Sequence, residues 1–143
     1  MYFTRHAESL GNVGHDIVDP YLTKTGQEQA SQLSGHYDCV IISPLRRCIE
    51  TLHYSQLTYD HIHITHHFRE RIFSQKDSLL LEKCVAETDG EFWSRVENFQ
   101  KELDDLRSKY DKVLLIGHVY YFNAFYMKQC TASPEHATVI TLK

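Results

Sequence analysis

Apolar positions in this chain fall into short continuous runs, separated by stretches in which they recur every three or four residues. "DCVIIS" and "KVLLIG" are runs of the first kind, as expected of strands buried on both faces of a parallel sheet. Residues 1–5 predict a first strand, "HIHIT" alternates as a strand does, and "ATVITL" predicts a last one. Helical patterns lie between them. In "LTKTGQEQASQLSG", Thr25 and Glu28 have capping-box spacing, Ala30 and Leu33 share a helical face, and Gly35 ends the helix. Ser43 and Pro44 predict the next helix start, with serine as cap, proline at the first position, and Leu45, Ile49 and Leu52 at helical spacing. From Thr88, with Glu91 three residues on, a long helix carries Phe92, Val96, Phe99, Leu103 and Leu106 as one core stripe. "VYYFNAFYMKQC" predicts a fourth helix whose aromatic residues are mostly core.

Five strands alternating with four helices imply βαβ units, so the expected fold is α/β: a three-layer α-β-α sandwich with a mainly parallel central sheet. The chain has 143 residues without internal repeat or linker, which fits one domain over residues 1–143. Ligands of such sheets bind at the carboxyl ends of the strands. The predicted strands end in Arg5-His6, in Ser43-Pro44-Leu45-Arg46-Arg47, in Arg69-Glu70-Arg71 and in Gly117-His118. Two histidines, several arginines and a carboxylate therefore converge on one sheet edge. That inventory suits phosphoryl transfer: arginine forks match phosphate geometry, a neutral imidazole attacks phosphorus, and a carboxylic acid protonates the leaving oxygen.

Composition narrows the partners. Net charge is −4 and no run of lysine or arginine forms a stripe, so a nucleic-acid partner is not expected. No apolar run approaches the roughly 18 residues that span a bilayer and no leader pattern opens the chain, so neither membrane insertion nor secretion is expected, and a cytoplasmic location is. Cys39, Cys48, Cys84 and Cys130 form no C-x-x-C pair and read as free thiols. His61 and His63 have H-x-H spacing, but without the further ligand pattern of a metal site they read as a polar strand edge.

Six ordered segments resemble the histidine phosphatase superfamily, the phosphoglycerate-mutase-like enzymes. "TRHAES" resembles the family's R-H-G signature, with Asn12 at the family's spacing. "DPYLTKTGQEQA" resembles its D-x-x-L-T-x-x-G-x-x-Q-A segment and "SPLRRCIETL" its S-P-L-x-R-A-x-x-T-A. "FRER", "ETDGEFWSRVENF" and "LLIGH" resemble the stretches that carry the family's acid, a G-E-S-x-x-x-F-x-x-R-V helix and its second histidine. The resemblance implies His6 as the nucleophile that becomes phosphohistidine, and Arg5, Asn12, Arg47 and His118 as phosphate ligands. Glu70 would be the general acid and base, and His118 is counted with the catalytic set. Thr23, Arg69 and Tyr120 are candidate substrate contacts, Arg46 is expected on the surface, and no metal or other cofactor is implied.

Three departures bear on activity. Ala7 replaces the motif's glycine, which requires negative φ there. Val119-Tyr120-Tyr121 replaces the usual glycine-rich turn after the second histidine. The stretch between Glu70 and Glu87 is short, which predicts an open site and favours hydrolysis of a small phosphorylated substrate, releasing inorganic phosphate, over retention of the phosphoenzyme. A phosphoglycerate-type mutase, a phosphoprotein or phosphohistidine phosphatase, and a non-catalytic phospholigand-binding protein are the alternatives.

Overall fold

The computed structural model describes residues 1–127 and 134–142. Strand β1 (Tyr2–Arg5) leads to helix α1 (Lys24–Ser31), then β2 (Ser34–Ile42), α2 (Arg46–Tyr54) and β3 (Gln56–Ile64). The long α3 (Asp89–Lys109), β4 (Val113–Gly117), a short α4 (Val119–Phe122) and β5 (Val139–Thr141) follow. The sheet order is β3-β2-β4-β1-β5, with every pairing parallel except β1 with β5. This is the expected α/β sandwich. Among the described residues no helix is long and apolar enough to cross a membrane.

Alternation along the strands divides the core. Phe3, Ile41 and Leu115 face the α3 stripe of Phe92, Val96, Phe99, Leu103 and Leu106, with Tyr121 and Phe122 of α4 in the same cluster. Val40, Ile42, Leu114 and Ile116 face the opposite layer, where Cys48, Ile49 and Leu52 of α2 cover them. Burying each such side chain contributes about 1.5–3 kcal/mol, so the α3 stripe alone accounts for much of the packing on its face.

Local chemistry shifts several boundaries from expectation. Helix α1 is capped by Thr23, whose Oγ1 accepts from Gly26 N at 2.9 Å, so Thr25 lies inside the helix. Gly35 does not end α1 but lies in β2 at φ 121°, a conformation that strongly favours glycine. Helix α2 starts two residues later than expected, after Leu45: Ser43 Oγ accepts from Leu45 N at 3.3 Å, while the Arg46 N–H is capped from a distant loop by Asp19 Oδ1 at 2.8 Å. The last predicted helix is only α4 followed by a π turn at Asn123–Met127. The remainder of "VYYFNAFYMKQC", including Cys130, lies outside the described residues. Cys39, Cys48 and Cys84 are free thiols.

Gly117 ends β4 against an aromatic ring: a Cβ built there would lie 2.4 Å from Phe68 Cζ. Phe68 is itself stacked on Phe99 at 4.5 Å between ring centroids, so it has little room to retreat. Gly117→Ala should therefore cost about 1–3 kcal/mol and lower the thermal midpoint by several degrees in a circular-dichroism melt, whereas Gly90→Ala, with open space around it, should not.

Candidate active site

The parallel register aligns the strand ends. Arg5 pairs with Gly117, and the ladder continues one residue further, with His6 N donating to Gly117 O at 3.0 Å. The two histidines that follow β1 and β4 are thus neighbours, with ring centroids 5.3 Å apart. His6 Nδ1 lies 2.7 Å from the Ala7 carbonyl oxygen. A carbonyl only accepts, so Nδ1 carries the proton and Nε2 keeps its lone pair. Burial, reinforced by the charges of Arg47 and Arg5, holds the His6 pKa well below its usual value, so the ring is neutral. His118 is also held neutral, first by burial and then by Arg47. Its Nε2 lies 2.8 Å from Ser43 Oγ and 3.4 Å from Cys48 Sγ, while its buried Nδ1 has no partner among the described residues.

The loop after His6 is tied to α2. Ala7 N donates to Thr51 Oγ1 at 2.8 Å, and Thr51 Oγ1 donates to Arg47 O at 2.7 Å. Ala7 is fully buried and absent from the positive-φ residues, so alanine fits where the motif has glycine. Asn12 Oδ1 accepts from Ser9 N at 2.9 Å and Ser9 Oγ at 3.1 Å, which leaves its amide N–H groups as the donors it can offer a ligand.

Arg47 comes from the first turn of α2 and is buried. Its Nη2 donates to Asp77 Oδ1 at 3.1 Å and its Nη1 to Lys76 O at 2.9 Å. Sequence reasoning missed these partners, because they lie in a polar segment with no periodic pattern. Part of that segment reaches the site: Phe73, Lys76 and Asp77 form part of the cavity wall.

Glu70 sits at the start of α4. Its Oε2 accepts from Tyr120 N at 3.1 Å and its Oε1 from Tyr121 N at 2.9 Å and Arg71 N at 3.1 Å. Burial dominates over the stabilising Arg47 charge and these N–H groups and pushes its pKa up to about 7. The tyrosines that replace the glycine-rich turn therefore place their backbone donors on this carboxyl.

A cavity of about 190 Å³ brings Arg5, His6, Asn12, Arg47 and Glu70 together, with Ser9, Lys76 and Asp77 as further polar walls and Gly11, Pro20, Phe73 and Val119 completing it. His118 is fully buried and does not line the cavity. Neither do three candidate substrate contacts. Thr23 is the α1 cap and donates to Glu8 Oε1 at 2.8 Å. Arg69 is buried in a paired contact with Glu82 at 2.9 and 2.7 Å. Tyr120 takes a hydrogen bond from Arg71 Nη1 at 3.2 Å and packs edge-on against Phe73. Arg46 is exposed and paired with Glu50. His136, not singled out from sequence, donates from Nδ1 to His6 O at 2.9 Å. His61 lies against the Tyr110 ring at 4.8 Å, while His63 and His67 share the Glu102 carboxylate at 2.5 and 3.1 Å.

Among solved structures, the fold is similar to alpha-ribazole phosphatase from Shigella flexneri, with TM-score 0.68, 20% identity, and 89% of this chain and 77% of that one covered. It is similar to phosphoserine phosphatase from Entamoeba histolytica in complex with 3-phosphoglyceric acid, with TM-score 0.66, 16% identity, and coverage of 96% and 87%. It is also similar to mycobacterial glucosyl-3-phosphoglycerate phosphatase in complex with VO3, with TM-score 0.64, 16% identity, and coverage of 97% and 88%. No curated protein matches by sequence. The family model of the histidine phosphatase superfamily (branch 1) matches residues 1–100, from the His6 motif through the whole of the α3 motif, and the chain belongs to that superfamily.

Proposed function

We propose that this chain is a metal-independent phosphatase that hydrolyses a small phosphomonoester through a phosphohistidine at His6. It is an enzyme of the histidine phosphatase type. The observation that carries the mechanism is the Nδ1 hydrogen bond of His6 to Ala7 O, which leaves a neutral ring with Nε2 as its lone-pair nitrogen in a cavity walled by arginines. Names among the similar structures, alpha-ribazole phosphatase and phosphoserine phosphatase, support a small phosphorylated substrate.

In the first step His6 Nε2 attacks phosphorus and the bond from phosphorus to the leaving oxygen breaks. Glu70 gives its proton to that oxygen. Arg5, Arg47 and the Asn12 amide stabilise the charge spread over the phosphoryl oxygens, as preorganised donors do. The unpartnered Nδ1 of His118 gains a partner if a phosphoryl oxygen reaches it. In the second step the Glu70 carboxylate takes a proton from water, the water oxygen bonds to phosphorus, and the phosphorus–nitrogen bond breaks with its electron pair returning to His6. Inorganic phosphate leaves.

His6→Ala should lower hydrolysis of p-nitrophenyl phosphate by at least about 10³-fold and abolish acid-labile phosphoryl labelling; retained turnover would overturn the mechanism. The pH profile follows from Glu70. The acid must hold its proton, so kcat/KM should fall as pH rises through about 7. His6 stays neutral in that window, so the acidic limb should lie well below the usual histidine value. Glu70→Gln should lose the basic limb and about 10²–10⁴-fold in kcat/KM for an alkyl phosphate, with a smaller loss in kcat/KM for p-nitrophenyl phosphate, whose leaving group needs no proton. Equal losses on both substrates would sink the acid role.

A further inference from the structure

The cavity wall carries two carboxyl groups, Glu70 and Asp77, and the mechanism uses only the first. Asp77 lies on the arginine assigned to phosphate, with both side chains buried: Arg47 is 7% exposed and Asp77 4%. Its two oxygens have separate tasks. Oδ1 accepts from Arg47 Nη2 at 3.1 Å. Oδ2 accepts from Phe73 N at 3.1 Å and Ser74 N at 3.4 Å, closing its own turn. The turn is held again from outside, because Arg69 Nη2 donates to Asp77 O at 3.0 Å and Arg47 Nη1 to Lys76 O at 2.9 Å. Asp77 is therefore a fixed group that a ligand would not readily push aside.

A carboxylate in that position opposes phosphate binding. It competes for a guanidinium N–H that phosphate would otherwise take, and its charge repels a dianion across a site of low dielectric. It also removes the penalty of leaving Arg47 buried and unpaired when the site is empty. Uniformly tight binding of substrate and product would not speed the chemical step, and it would slow release of phosphate.

We propose that Asp77 is a positioning residue of the phosphate site: it fixes the Arg47 guanidinium and offsets its charge, so that the site holds phosphate more weakly than the unpaired cation would and releases it after each turnover. This rests on the reading of Arg47 as a phosphoryl ligand. The same carboxylate adds to the forces that keep a proton on Glu70, so its removal also reaches the pH profile.

Asp77→Asn keeps a carbonyl oxygen for the Phe73 and Ser74 N–H groups and turns an NH2 toward Arg47, preserving the turn while removing the ion pair. Calorimetric titration with inorganic phosphate should show roughly tenfold tighter binding. Steady-state kinetics should show kcat and KM falling together, and the basic limb should move to lower pH. In an Arg47→Gln background the same substitution should give no gain. Asp77→Ser carries the same expectations and replaces the Asn variant if circular dichroism finds that one unfolded. Unchanged phosphate affinity, or a raised KM with kcat unaltered, overturns the role of Asp77. Parent protein that neither binds phosphate nor becomes labelled at His6 overturns the reading of the site itself.

Discussion

One backbone hydrogen bond, from His6 N–H to Gly117 O at 3.0 Å, is what the site depends on. It extends the β1–β4 ladder past the end of β1, so that residues 6 and 118, more than a hundred positions apart in sequence, become neighbours by register. The same point in the fold positions Glu70. Gly117 has no side chain, and Phe68 fills the space that one would occupy. Phe68 is buried and leads directly into Arg69 and Glu70. A change of register or a side chain at Gly117 would thus disturb His6, His118 and Glu70 together.

Burial acts in opposite senses on the two kinds of reacting group. Removing water from His6 disfavours its cation and leaves a neutral imidazole, while removing water from Glu70 disfavours its anion and raises its pKa, the two forms the proposed mechanism uses. Both follow from one property of the sheet edge. The arginine charges help at His6 and oppose at Glu70, where the pKa stays raised because desolvation outweighs Arg47 and the α4 N–H groups together.

The fold was readable from the chain because its main strands are buried runs and its long helix a clean stripe. β2, β4 and α3 carry signals that tertiary packing reinforces. Boundaries were less readable. Thr23 and Thr25 are both plausible caps by type, and only the approach of Glu8 to Gly26 selects the first. α2 begins where Asp19 reaches it, a contact across 27 positions that no local pattern announces. At the site, Arg5, His6, Asn12, Arg47 and Glu70 were legible because motif and strand end coincide. Asp77, Phe73 and His136 were not, since each reaches the site by tertiary placement alone.

Asp19 has a further consequence. It adopts φ 45°, unusual for a residue with a side chain, and from there its carboxylate caps the first turn of α2. The loop it belongs to also supplies Gly11, Asn12 and Pro20 to the cavity, and α2 supplies Arg47. Wall and cation are therefore joined through Asp19 as well as through the Ala7–Thr51 and Leu22–Glu50 contacts. The turn that carries Arg47 is thus capped by the loop that walls the cavity, so the direction of the cation is set by the placement of the wall.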